Sequence, residues 1–252
     1  MRVTTYGQLM ELLDSLYADG AERTSDAAAA FWDGLFQREG HPLTSELPDA
    51  ALPAWQAEAL LPGGHGASAL DVGCGLGRNS TWLAAQGFTV TGIDISPYAV
   101  ETARSRMERS GAAGSVALGS GPDYRRVDFV REPVAGGPFD FVYDSGCFHH
   151  LAPHRRISYM EALSAALAPD GVYGICTFMA GEMGSTASDK DLLLQGHLEG
   201  GVGYTLDELA EMFSWLELVD ARLMPPGHTH DEPTFSHGFL QVALFRRPST
   251  SS

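Results

Sequence analysis

The stretch Ser68-Ala69-Leu70-Asp71-Val72-Gly73-Cys74-Gly75-Leu76-Gly77-Arg78-Asn79-Ser80 constrains the fold more than any other part of the chain. An apolar run ends in an acid, passes through three glycines and enters a segment suited to a helix. That order describes a strand, a tight turn and a helix start, and residues without Cβ at the turn let a ligand press against the backbone. The spacing is G-x-G-x-G, which departs from the G-x-G-x-x-G fingerprint of dinucleotide sites.

From residue 67 onward, strand-like and helix-like segments alternate, the pattern of a parallel sheet covered by helices on both faces. Strands are expected over 67–72, 88–94, 124–127, 139–144 and 172–178. Between them lie a helix over 79–86 stopped by Gly87, a helix opened by Ser96-Pro97 with Val100, Ala103 and Met107 inward, and a helix marked by Ile157, Met160, Leu163 and Leu167 and closed by Pro169-Asp170-Gly171. Two last strands, 216–223 and 238–245, are joined directly by a loop and so form an antiparallel pair. The expected fold class is α/β: a Rossmann-like seven-stranded sheet, its last strand antiparallel, with an N-terminal helical cap.

That cap is assigned to residues 1–62. Leu9, Leu12, Leu13 and Leu16 recur at helical spacing, and 27–36 places Phe31, Trp32, Leu35 and Phe36 on one face, read as packing onto the domain rather than as ligand contact. A short helix around Pro53 to Leu60 precedes the breaker Pro62-Gly63-Gly64. The main domain is assigned to 63–248, with a glycine-rich, lid-like insertion at 179–204, and 249–252 are read as a disordered tail. Thr205-Leu206-Asp207-Glu208 reads as a capping box that starts one more helix.

In 252 residues, 16 Lys and Arg stand against 32 Asp and Glu, for a net charge of −16. Such a chain repels phosphate backbones unless it gathers a local basic patch, and Arg125-Arg126 and His154-Arg155-Arg156 are too short to make one. A small-molecule partner is expected, with no nucleic acid and no membrane. The oligomeric state is not encoded in any readable signal. The N-terminus shows no charged segment followed by an apolar core, and no apolar run reaches membrane length, so a cytoplasmic protein is expected. Cys74, Cys147 and Cys176 are too few and scattered for a disulfide framework.

In an open α/β sheet the ligand sits beyond the carboxyl ends of the strands. Asp94, at the end of the second strand, stands where a carboxylate accepts hydrogen bonds from ribose hydroxyls, and Asp128, after the third, where a side chain takes an adenine amino group. Asp71 and the glycine turn then face the other end of the ligand. An acid preceding G-x-G-x-G suits a cationic amino-acid moiety better than a pyrophosphate, which implies S-adenosylmethionine as cofactor.

With Leu70 to Asn79 as a first motif and Gly92-Ile93-Asp94-Ile95-Ser96 as a second, the span from about Ala69 to Phe245 resembles the class I S-adenosylmethionine-dependent methyltransferases. Tyr143-Asp144-Ser145-Gly146-Cys147-Phe148-His149-His150-Leu151, followed by Pro153-His154-Arg155-Arg156, is also similar to a bacterial group related to thiopurine S-methyltransferases and tellurite-resistance methyltransferases. The resemblance implies methyl transfer to a small molecule, and cofactor contacts from Asp71, Gly73, Gly75, Asp94 and Asp128. Their motif neighbours Cys74, Arg78, Asn79, Ile95, Phe129, Asp144, Ser145 and Gly146 are expected to share that role.

Methyl transfer is a direct displacement, so positioning dominates and a base is needed only for a protonated acceptor. His149, His150 and Tyr204 are the candidate catalytic residues; a histidine pair in a loop after a strand equally suits hydrogen bonding to backbone. The three cysteines lie near the ends of neighbouring strands and are read as small packing residues, with a soft-element site as the alternative. His228-Thr229-His230-Asp231-Glu232 with His237 has metal-ligand chemistry, but as a hairpin loop it is placed away from the strand ends, and no metal is assigned. A silent or non-methylating cofactor-binding protein and a nicotinamide-dependent oxidoreductase remain alternative readings.

Overall fold

The computed structural model describes residues 2–17, 28–63, 66–112, 121–227 and 233–249. Ala27, the Gly- and Ser-rich run over 113–120, the His228 to Glu232 motif and positions 250–252 of the expected tail lie outside the described residues.

Among the described residues a single sheet carries the strands in the order β3-β2-β1-β4-β5-β8-β7. These are β1 (Ser68–Val72), β2 (Thr89–Asp94), β3 (Asp123–Arg126), β4 (Phe139–Ser145), β5 (Leu167–Met179), β7 (Glu217–Leu223) and β8 (Leu240–Arg246), with a two-residue β6 (Gly203–Tyr204) pairing β5 off this path. Strands β1 to β5 pair in parallel, while β8 lies antiparallel to both β5 and β7. The last strand in sequence is therefore the reversed one, and β7 runs in the same direction as β5.

The side-chain period of two divides the core. Leu70, Val72, Val142, Tyr173 and Ile175 pack on one face with Tyr159 and Leu163 of α6 (Pro153–Ala166) and Leu209 of α8 (Leu206–Met212). Ala69, Val90, Phe141, Tyr143 and Val172 pack on the other with Leu83 of α4 (Arg78–Ala85) and Leu52 and Trp55 of α3 (Ala51–Ala57). Thus α3, expected as part of the N-terminal cap, covers a face of the sheet, and the Trp55 indole donates to Asp220 at 2.8 Å.

Three differences from the expected elements have local causes. In α1 (Tyr6–Asp14) the buried residue is Met10 and Leu9 and Leu12 are exposed, as is Leu16 in the 3-10 turn Ser15–Tyr17 that follows, because the helix rests on α6 through Asp14 rather than through a leucine stripe. Strand β5 starts at Leu167, directly after α6, because Leu167 pairs with Phe139 before the turn at Asp170. The insertion after β5 holds a helix, α7 (Asp189–Gln195). Ser188 caps it by accepting from the Asp191 amide, Asp189 and Asp191 occupy its first turn, and Gly196 closes it at φ +69°. The helix opened by Ser96-Pro97 forms as α5 (Pro97–Ala112), and the capping box of Thr205 and Glu208 is formed at the start of α8.

Candidate functional site

A cavity of about 520 Å³ opens at the carboxyl ends of the parallel strands. Its floor is the glycine turn, in which Gly73, Gly75 and Gly77 all adopt positive φ. The third glycine has two reasons to be one: its φ is +87°, and a Cβ there would stand 2.4 Å from the Tyr124 hydroxyl.

Asp94 lines this cavity at the end of β2. Its Oδ2 accepts from the Gly75 amide at 2.8 Å and its Oδ1 from the Ser96 amide at 2.8 Å, so each oxygen keeps acceptor capacity. Burial pushes its carboxyl up to about 6, against the pull of those amides. Ile95, Asp128 and Phe129 line the same cavity. Asp128 also accepts from the Val130 amide at 3.1 Å and pairs with Arg131 at 2.6 Å.

Arg78 and Asn79, at the start of α4, line the wall but are held by a residue the sequence did not reveal. Asp49 is fully buried and accepts from the Tyr143 hydroxyl at 2.7 Å, the Ser145 hydroxyl at 2.5 Å and the Asn79 amide at 3.2 Å. The Arg78 Nη2 lies 2.6 Å from Asp49 Oδ1. The Arg78 side chain is only 9% exposed, and its Nη1 has no hydrogen-bond partner among the described residues.

Three expected contact residues do not line the cavity. Asp71 is buried under the turn, where its Oδ2 accepts from the Ser80 hydroxyl at 2.5 Å and burial pushes its carboxyl up to about 7. As the acid of a strand whose alternate residues face α4, it supports the turn from beneath. Asp144 accepts from the Tyr159 hydroxyl at 2.7 Å and from the Cys147 amide at 2.7 Å, and so pins the short 3-10 turn Phe148–His150. Tyr204 is buried against the Phe148 ring with the Arg156 guanidinium over it, on β6 rather than on the wall.

His149 and His150, carried by that turn, do line the cavity, as do Gly73, Cys74, Gly75, Ser145 and Gly146. The Phe178 amide donates to His149 Nδ1 at 3.3 Å, which assigns the His149 proton to Nε2. That Nε2 lies 3.1 Å from His150 Nε2, so His149 donates there and His150 accepts.

The remaining wall is aromatic, and it overturns two expectations. The face of α2 (Ala28–Phe36) carrying Phe31, Trp32, Leu35 and Phe36 lines the cavity instead of merely packing on the domain. The loop before β8 also reaches it, through Phe235, His237 and Phe239. Because β7 runs parallel to β5, the loop leaving it emerges at the carboxyl end of the sheet; the antiparallel hairpin read from the sequence already implied this. Backbone bonds from the Phe235 amide to Pro48 and from the Ala50 amide to Phe235 stitch that loop to the Asp49 segment.

Cys74, Cys147 and Cys176 all line the wall, but burial raises every thiol, and among the described residues no group of three or more His, Cys, Asp or Glu could hold a metal. His154, Arg155 and Arg156 are buried: His154 and Arg155 bond Asp14 of α1, and Arg156 pairs with Asp189 of α7 at 2.7 Å. Among the described residues no helix is long and apolar enough to cross a membrane.

A model described as a methyltransferase domain matches residues 69–171. The ubiquinone biosynthesis O-methyltransferase of Actinobacillus pleuropneumoniae is 35% identical over 186 residues, which cover 67% of this chain and 71% of that protein. An uncharacterized methyltransferase of Schizosaccharomyces pombe is 35% identical over 97 residues, 38% of this chain; the match spans 60% of the relative's length. A structure described under the conversion of a disulfide bond into a thioacetal group during echinomycin biosynthesis superimposes with a TM-score of 0.60 at 25% identity, covering 88% of this chain and 94% of that one. The magnesium protoporphyrin IX methyltransferase of Synechocystis, solved with bound S-adenosylhomocysteine, shares the fold at a TM-score of 0.59 and 18% identity, covering 93% and 99%.

Proposed function

Because the chain belongs to the class I S-adenosylmethionine-dependent methyltransferases, we propose that it methylates a small-molecule acceptor bound at the histidine end of the cavity. The observation that carries this reading is the shared cavity, lined both by the glycine turn and Asp94 and by the His149–His150 pair.

The residues suit the cofactor. In this reading Asp94 has acceptor capacity left for ribose hydroxyls, Asp128 and Phe129 would flank the adenine, and Arg78, though paired with Asp49, would turn to a carboxylate the Nη1 that has no hydrogen-bond partner among the described residues. When bound, S-adenosylmethionine supplies a sulfonium methyl carbon, to which the acceptor's lone pair bonds as the carbon–sulfur pair leaves on a neutral thioether. The protein's main contribution is alignment, which supplies roughly 7–11 kcal/mol in well-oriented systems. For an acceptor that arrives protonated, His150 Nε2 takes the proton in place of the one donated by His149. Such a base adds roughly 10²–10⁴-fold. Asp71 and Asp144 act through the turns they support, and Tyr204 through packing.

The 179–204 insertion serves as the lid. The Val202 amide donates to the His149 carbonyl at 2.8 Å, and Met183, Gly184, Glu199 and Gly200 line the cavity. The 1–62 segment is its counterpart on the other side, through α2. The narrower likeness to thiopurine and tellurite-resistance methyltransferases is supported by the 143–156 motif, which builds both the histidine turn and the Arg155 and Arg156 anchors of α1 and α7.

The test is calorimetry with S-adenosylhomocysteine and with NAD, followed by a metabolite-extract screen using labelled S-adenosylmethionine. Binding of the former alone and transfer of label to a small molecule are expected; binding of NAD instead refutes the reading. Replacing both histidines by Gln lowers turnover on a protic acceptor at least 10²-fold with cofactor affinity retained, and unchanged turnover removes them from the chemistry.

A further inference from the structure

Rings from separate parts of the chain meet along the acceptor end of the cavity. Trp32 meets His150 edge-on at 5.0 Å between centroids, and His149, beside His150, is stacked on Phe178 at 3.8 Å. Phe178 meets Phe239 edge-on at 6.1 Å, and Phe239 is stacked on His237 at 4.9 Å with an interplanar angle of 11°. The belt draws on α2, the 3-10 turn, the end of β5 and the loop before β8. Stacked and edge-on contacts both occur along it, an arrangement in which a further ring finds complementary faces and edges.

The charges at the wall point the same way. Arg78 is paired with Asp49, and Arg131 with Asp14 and Asp128. The one buried cationic nitrogen left without a hydrogen bond among the described residues of this wall, Arg78 Nη1, is the one assigned to the cofactor. The tautomers set by the Phe178 amide leave the two histidines sharing a neutral donor–acceptor bond. Among the described residues the guanidinium that reaches the belt, that of Arg78 over the Phe235 ring beside His237, is already matched by Asp49, so an acceptor bearing its own carboxylate or phosphate finds no uncompensated counter-charge there, and burying an unpaired charge is costly.

We propose that the acceptor is an uncharged, planar aromatic molecule that lies against this ring belt and presents a ring-borne hydroxyl, thiol or amine to the His149–His150 pair. This rests on the methyltransferase reading and specifies its substrate class.

The test compares three probes on one skeleton: 1-naphthol, its saturated counterpart decahydro-1-naphthol, and 1-hydroxy-2-naphthoate. Binding to the full chain is measured by calorimetry with S-adenosylhomocysteine present at saturation. The expected result is 1-naphthol binding roughly tenfold tighter than either analogue. Phe239→Leu and His237→Leu, both only partly buried and so tolerant of replacement, cut that preference to about threefold or less while leaving S-adenosylhomocysteine affinity within about twofold. Equal or tighter binding of either analogue, no saturable binding of 1-naphthol, or an unchanged preference in both variants overturns the proposal. Failure to bind S-adenosylhomocysteine at the outset instead overturns the methyltransferase reading, so the two failures are distinguishable.

Discussion

Asp49 offers the sharpest test of how the site is held together. Its carboxylate is fully buried, accepts three side-chain hydrogen bonds and is the counter-charge of Arg78, itself nine-tenths buried. Asp49→Ala leaves that guanidinium and the Tyr143 and Ser145 hydroxyls without their partner. Removing one member of a buried ion pair costs about 3–5 kcal/mol, and hydrogen bonds to charged groups are worth about 1.5–3 kcal/mol each. The two figures overlap because they count the same lost carboxylate, and cavity water relieves part of the second, so the expected loss is about 3–5 kcal/mol. For a chain of this size that lowers Tm by roughly 6–20 °C. The assay is urea unfolding with a double-mutant cycle against Arg78→Met. The double variant should be less destabilised than the two single losses added, by at least about 1 kcal/mol, because no uncompensated charge remains in it. A loss under about 1 kcal/mol for Asp49→Ala, or strict additivity, refutes the account.

Asp71 has a folded-state carboxyl near 7 against an unfolded value of 3.8, so between about pH 4 and pH 7 the folded protein binds more protons and stability falls as pH rises, by up to about 4 kcal/mol from this residue. Asp71→Asn should flatten the change in urea midpoint between pH 4 and pH 8, and an unaltered slope contradicts the assignment. Asp14 works in the opposite sense: although burial raises its carboxyl, bonds from His154 and Arg155 outweigh that and hold it well below the usual range, so its contribution is present above about pH 4 and lost in stronger acid. Asp14→Asn should therefore remove part of the acid-limb stability and speed amide exchange over residues 6–14, and unchanged exchange there would show that α1 is held by other means. Gly92→Ala places a Cβ 2.8 Å from the Tyr124 ring and 2.9 Å from Ser80 Oγ; the expected cost is about 1–3 kcal/mol in urea unfolding, and a neutral effect would show that Tyr124 has room to move.

The alternation of elements, the glycine turn, the caps at Thr205 and the reversed last strand were readable because each depends on neighbouring residues. Gly77 needs a left-handed backbone, Thr205 reaches Glu208 three residues on, and strand faces repeat every second residue. The sequence by itself also placed Asp94, the glycine turn and the histidine pair at strand ends, which is enough to locate the cavity they line. It did not show that Asp49 would meet Tyr143, 94 residues away, or that Trp32, Phe178 and Phe239 would share one wall. Nor did it show that His154, Arg155 and Arg156, which look like surface charge, would be buried as anchors for two flanking helices. Those outcomes belong to tertiary structure because a carboxylate or a ring carries no local preference for its partner. The partner is selected only when the sheet order brings distant segments to one edge and burial requires each charge to be paired.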